Sequence, residues 1–147
     1  MHKLNLPPAE FNVKKAGGKV WIFDVIRKKF VVLTPEEWVR QNFVHYLISE
    51  LHYPKSLVKI EGGLSFNSRQ KRSDIVVFDR VGKPWMLVEC KSPVITITSQ
   101  TALQASVYNA TLQAPYLTLT NGLVHFCTHI NWETGTTHLL DMLPAYK

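Results

Sequence analysis

The sequence predicts an α/β domain in which a mixed β-sheet is flanked by helices. Three observations carry this. Residues 34–51 repeat apolar side chains every four positions behind a helix start signal, and Ser99–Leu112 is rich in Ala and Gln with no Gly or Pro. Around these segments lie short runs of Val, Ile, Phe and Thr bounded by turn residues. A chain of 147 residues, 46% hydrophobic and 19% charged, suits one core and so one domain, 1–147.

After an irregular start and a Gly17-Gly18 breaker, Val20–Val25 and Phe30–Leu33 predict two strands. Ile26-Arg27-Lys28-Lys29 joins them as an N-terminal hairpin. Thr34 then suits an N-cap, Pro35 the first helical position, and Glu37 completes a T-x-x-E capping box. Val39, Phe43, Leu47 and Leu51 form the apolar stripe, and Pro54 ends the helix. Leu57–Phe66, Asp74–Phe78 and Trp85–Cys90 predict three strands, connected by turns at Asn67–Arg72 and Arg80–Lys83. The second helix, Ser99–Leu112, is closed by Pro115. Tyr116–Thr120 and Val124–Ile130 predict a hairpin about Asn121-Gly122, and a last strand follows near Thr137–Leu140.

Several function classes are set aside at this stage. No stretch approaches the roughly 18–20 apolar residues of a spanning helix, and the N-terminus lacks a secretory h-region, so a soluble cytoplasmic protein with no membrane partner is expected. Cys90 and Cys127 sit in apolar runs and predict small buried thiols. No G-x4-G-K-[ST] loop occurs, so no P-loop ATP site is expected. The net charge of +6 suggests a polyanionic partner. Sixteen of the seventeen Lys and Arg and nine of the eleven acids lie in residues 1–91, which places the basic surface in the front two-thirds.

The middle strands allow a geometric inference. A hairpin about Arg80-Val81-Gly82-Lys83 sets Phe78 opposite Trp85, Val76 opposite Leu87 and Asp74 opposite Glu89. Opposed carboxylates repel unless a cation lies between them, and a divalent metal is the usual remedy. Lys91, two residues beyond Glu89, shares its face, whereas Val88 and Cys90 point into the core. The alternative is a solvated face on which Asp74 pairs with Lys91. The run Trp85-Met86-Leu87-Val88 is apolar on both faces, and charges emerging from such an interior strand mark a candidate site.

Asp74, a hairpin and Glu89-Cys90-Lys91 resemble the D…(D/E)-x-K signature of the restriction-endonuclease-like, PD-(D/E)XK, nucleases. The predicted order also resembles their αβββαβ core, here about 34–125. Glu36 to Arg40 on the first helix and Gln104-Ala105-Ser106-Val107-Tyr108 on the second are similar to the acid-x-x-x-Arg and Q-x-x-x-Y patterns of the N-terminal nuclease domain of type I restriction enzyme R subunits. Ser73 stands where the family name has proline, and the helicase motor of the full R subunit has no counterpart in this chain.

The resemblance implies a DNA nuclease with Asp74, Glu89 and the Cys90 carbonyl as ligands of Mg²⁺ or Mn²⁺. Lys91 would neutralise developing charge and orient the attacking water. Glu36 shares the stripe of Phe43 and Leu47 and is the preferred helix acid, although a first-turn acid also suits the helix dipole. Gln104 and Tyr108 would face the phosphate backbone or hold Lys91; a polar helix surface with a half-buried tyrosine is the alternative. Arg69, Lys71 and Arg72 precede Asp74 and would supply phosphate contacts, or form a solvated basic turn. Arg27-Lys28-Lys29 and Lys14-Lys15 read as solvated turns, and His125, Cys127 and His129 as a packed or surface strand face rather than a zinc site. The implied partners are DNA and either a second copy or a restriction-system subunit that supplies translocation. A non-catalytic nucleic-acid-binding or assembly module, or another enzyme class on the same scaffold, are the rival functions.

Overall fold

A computed structural model describes residues 1–60 and 75–147, together with the backbone of 64–66 and 69–71. The chain opens with β1 (Val13–Ala16), β2 (Lys19–Asp24) and β3 (Lys29–Val32), an antiparallel sheet in the order β1-β2-β3. The expected hairpin is β2–β3, and the start is irregular through Asn12 as expected, but β1 then precedes the hairpin. Gly17 and Gly18 take φ of +59° and +75° and close a β1–β2 hairpin in which Ala16 pairs with Lys19. Two successive positive φ values suit a tight hairpin turn, and only glycine adopts them without steric cost.

Helix α1 (Pro35–His45) starts as expected, with Thr34 Oγ1 accepting from the Glu37 amide at 3.0 Å. A π-helical turn, Tyr46–Glu50, extends it, and Val39, Phe43 and Leu47 are fully buried. The second half of the predicted capping box gives way to other partners. The Glu37 carboxylate accepts from Arg40 Nη1 at 2.6 Å, Gln41 Nε2 at 2.8 Å and Arg27 Nη2 at 3.0 Å.

The single strand expected over Leu57–Phe66 is instead a 3-10 turn, Lys55–Leu57, followed by β4 (Val58–Lys59) and β5 (Leu64–Phe66). β5 pairs antiparallel with β6 (Arg69–Lys71), where a connecting turn was predicted; Arg, Gln and Lys carry little strand propensity, so the pairing has no local signal. Then come β7 (Ile75–Phe78), β8 (Pro84–Cys90), α2 (Ser99–Leu112), β9 (Tyr116–Thr120), β10 (His125–Asn131) and β11 (Thr136–Leu140), close to the predicted limits.

The main sheet has six strands in the order β11-β10-β9-β8-β7-β4. β8 and β9 are parallel, with α2 as the crossover between them, and the other neighbours are antiparallel. Ile75, Val76 and Val77 face Val88, Leu87 and Met86 as predicted. A bulge then sets Phe78 opposite Pro84 rather than Trp85. Met86, Val88 and Cys90 join Val39, Phe43 and Val44 of α1 in one apolar cluster. Leu87 joins Val76, Leu117, Leu119 and the α2 residues Ala105 and Tyr108 in another. The sheet is therefore covered on both faces, which explains why β8 is apolar without alternation.

A charged network fastens the small sheet to α1. Asp24, fully buried at the end of β2, accepts from the amides of Ile26 at 2.8 Å and Arg27 at 2.9 Å, from Arg27 Nε, and from Gln41 Nε2 at 3.1 Å. Arg27 bridges Asp24 to Glu37, and Arg40 bridges Glu37 to Glu36, whose Oε2 lies 3.0 Å from Arg40 Nη2. Arg27 is thus a structural cation rather than part of a solvated turn. Burial opposes the charge on Asp24, yet the backbone and guanidinium of Arg27, with Gln41, hold its carboxyl below the usual carboxylate range.

Arg40→Met leaves Glu37 buried without its closest partner and is expected to lower the unfolding free energy by about 3–5 kcal/mol in urea titration. Glu36→Gln, at the exposed end of the network, is expected to cost less than about 1 kcal/mol. Because the folded carboxyl of Asp24 titrates below its unfolded value of about 3.9, its contribution is complete above that pH and fades as pH falls through the folded value. Asp24→Asn should flatten that acid limb of the stability profile.

Candidate active site

The sheet changes sense at β8, which runs antiparallel to β7 and parallel to β9. The carboxyl ends of β8 and β9 lie side by side, with Glu89 beside Leu119 and Cys90 beside Thr120. In open α/β sheets such carboxyl ends are where ligands bind. The ladder continues one step past β8, since the Lys91 amide donates to the Thr120 carbonyl at 2.8 Å. The strand period places Glu89 and Lys91 on the α2 side with Leu87.

Glu89 is only 6% exposed, between positions occupied by Leu87 and Leu119 of the apolar cluster. Lys91 Nζ lies 3.4 Å from Glu89 Oε2, and the lysine side chain is 29% exposed. An anion at this depth costs desolvation energy, and its pairing offsets that cost at most in part. Charges held at a sheet's carboxyl end against that cost are a functional-site signature.

The segment after Lys91 is tied to the β9–β10 turn. Asn121 Nδ2 donates to the Ile95 carbonyl at 2.9 Å, while Asn121 Oδ1 accepts from the amides of Leu123 and Val124, both at 2.9 Å. Thr98 then caps α2 through a reciprocal box with Thr101. Asn109 clamps the other end of α2 through both of its side-chain polar atoms on Ala114. The sequence marks Asn121-Gly122 as a turn but gives no sign of the Ile95 contact, which joins residues far apart in the chain.

Of the residues singled out from sequence, the structure brings Glu89 and Lys91 together. Tyr108 is buried against the same sheet face, 4% exposed, and Gln104, one helical turn earlier, is exposed. The Cys90 side chain belongs to the α1-side core, so only its backbone can serve the site. Glu36 lies on α1, which covers the other face, and is bonded to Arg40; Glu37 is the more deeply buried acid. Asp74 and Arg72 lie outside the described residues, and Arg69 and Lys71 are placed only as backbone of β6.

His125 bonds Thr120 Oγ1 at 2.7 Å through Nδ1 and the Asn5 carbonyl at 3.0 Å through Nε2. His129 packs on Tyr116, and Cys127 is core, its thiol pushed up by burial. Among the described residues no group of three or more His, Cys, Asp or Glu side chains is placed to hold a metal ion.

Asn121→Ala removes the tie to Ile95 and two turn hydrogen bonds. It is expected to cost about 1–3 kcal/mol and to speed amide exchange across residues 91–98, a combination that hydrogen-exchange mass spectrometry resolves.

Comparison with known proteins follows this geometry. The family model described as type I restriction enzyme R protein N terminus (HSDR_N) matches residues 35–144. Among solved structures, the chain is similar to a fragment assigned as the HsdR subunit of a type I restriction enzyme from Vibrio vulnificus YJ016. The identity is 28%, over 60% of this chain, with a TM-score of 0.40. The chain spans 16% of the length of that structure. No curated protein matches. The family match runs from α1 through β11 and includes the Glu89–Lys91 corner; the chain belongs to the family of type I restriction enzyme R protein N-terminal domains.

Proposed function

We propose that this chain is a metal-dependent nuclease domain of the restriction-endonuclease-like, PD-(D/E)XK, type that hydrolyses DNA phosphodiester bonds. The observation that carries the reading is the buried Glu89 carboxylate with Lys91 at 3.4 Å, at the carboxyl end of the interior strand where the sheet changes sense. Family membership supports a restriction-system setting. Asp74 is the second acid of this reading, taken from the sequence; the observed register of Ile75–Val77 against Met86–Val88 is the one that choice assumed.

The donors suit a hard cation: a carboxylate oxygen of Glu89, with Asp74 and the Cys90 carbonyl completing the protein's share. Mg²⁺ or Mn²⁺ held there would polarise the phosphate and lower the pKa of a bound water. Lys91 balances the negative charge that develops on the phosphate and orients the attacking water, its backbone fixed by Thr120. Tyr108 supports this face from α2, and Gln104 reaches the DNA backbone from the exposed turn above it. The Glu36–Arg40 pair steadies the start of α1, and Arg69, Lys71 and Arg72 bring cations to the phosphates. The partners are DNA and restriction-system subunits that supply translocation.

Calorimetry with Mg²⁺ and Mn²⁺, followed by incubation with supercoiled plasmid, tests this. The wild type is expected to bind the cation and cut, and Asp74→Asn and Glu89→Gln to lose both. Lys91→Ala should retain cation binding while cutting falls by about 10²–10⁴-fold. Undiminished cutting by Glu89→Gln, or a wild type that binds no divalent cation, overturns the proposal.

A further inference from the structure

A recess of about 500 Å³ lies between the β2–β3 turn and the edge strand β4. Its rim carries Lys28, Lys55 and Lys59, and Ser56 adds a hydroxyl. Its floor is Val25, Ile26 and Val58, none of them exposed. The three ammonium groups come from three separate elements: a turn, a 3-10 helix and a strand. No acid is among the described residues that line the recess. Three lysines lining one recess create a positive potential that attracts a polyanion.

Two local features adjoin the recess. Lys28 sits at φ +58°, a conformation that favours glycine or asparagine and costs a lysine about 1 kcal/mol or more. An adjoining recess shares Val25 and Lys55 and contains His45, whose proton affinity is lowered by burial and then by the Lys55 charge.

We infer that this groove is a second nucleic-acid contact, in which Lys28, Lys55 and Lys59 take phosphates of a DNA backbone. It rests on the proposed function only for the identity of the polymer. The core beneath it is that of α1, whereas Glu89 lies on the α2 side, so the two sites can be altered separately. A lipid surface fits less well, because the apolar residues form the floor and none projects to enter a bilayer. Phosphates repeated along a chain can meet lysines on three elements at once.

The test is fluorescence anisotropy of a labelled DNA duplex in EDTA, across a salt series, for the full chain. K28A/K55A/K59A is expected to weaken binding at least about 10-fold at low salt and to reduce the log–log salt slope by about 2–3. K28R/K55R/K59R, which keeps the three charges, should bind like the wild type, which separates lost charge from misfolding. Wild-type affinity and slope in the alanine variant overturn the inference while leaving the nuclease reading intact. Lost binding in that variant alongside a wild type that does not cut sustains the inference and sinks the nuclease reading. Loss of binding to phosphatidylserine vesicles with no change toward DNA assigns the groove to a membrane and overturns it.

Discussion

Strand β8 presents one apolar face to α1 and another to α2, and the placement of the other elements follows from this double burial. Met86, Val88 and Cys90 pack on one side and Leu87 on the other, so β8 cannot shift register by one residue without exchanging two cores. That constraint fixes where the strand ends, and its last positions carry the only charges it has, Glu89 and then Lys91 beyond it. Lys91 is held by the Thr120 carbonyl across the parallel pair. A rigid interior strand therefore delivers an acid and a lysine to the carboxyl end of the sheet with little freedom in either, which is how a site built on regular structure gains positional accuracy.

The buried network of Asp24, Arg27, Glu37, Arg40 and Gln41 has a different role. Its polar groups satisfy one another between the small N-terminal sheet and α1. Apolar packing of the same volume could be as stable, but it would fix the hairpin's orientation less strictly, because charge-assisted hydrogen bonds are directional. This hairpin turn presents Lys28. The same junction thus sets how the small sheet sits on α1 and where one wall of the basic groove stands.

Much of the architecture was legible because local signals and tertiary burial agree. The T-P-E-E start of α1, the Arg80–Lys83 and Asn121-Gly122 turns and the limits of α2 and β9 all carry their own chemistry. The sequence could not show that Gly17-Gly18 turns a hairpin, since β1 is exposed throughout and lacks apolar alternation. Leu57–Phe66 reads as one strand because Val58, Ile60, Leu64 and Phe66 recur at even spacings, yet among the described residues Val58 and Lys59 alone of this run pair with β7. At the site, Glu89 and Lys91 follow from the period of two, and the inward turn of Glu37 does not. Its partners Arg27 and Gln41 come together only when the hairpin folds onto the helix, and a capping motif explained the residue sufficiently. Basic residues are poorly sorted by sequence alone: Arg27 and Lys28 are neighbours, and one is part of the core network while the other lines an open groove.

The central claim is that the carboxyl end of β8 is a cation site. Crystals soaked in Mn²⁺ and measured at the manganese edge test it most directly. The account predicts an anomalous peak within coordination distance of Glu89, with Asp74 as a second ligand. Well-ordered density in which Glu89 remains closed on Lys91, with no peak beside it at saturating Mn²⁺, would contradict it.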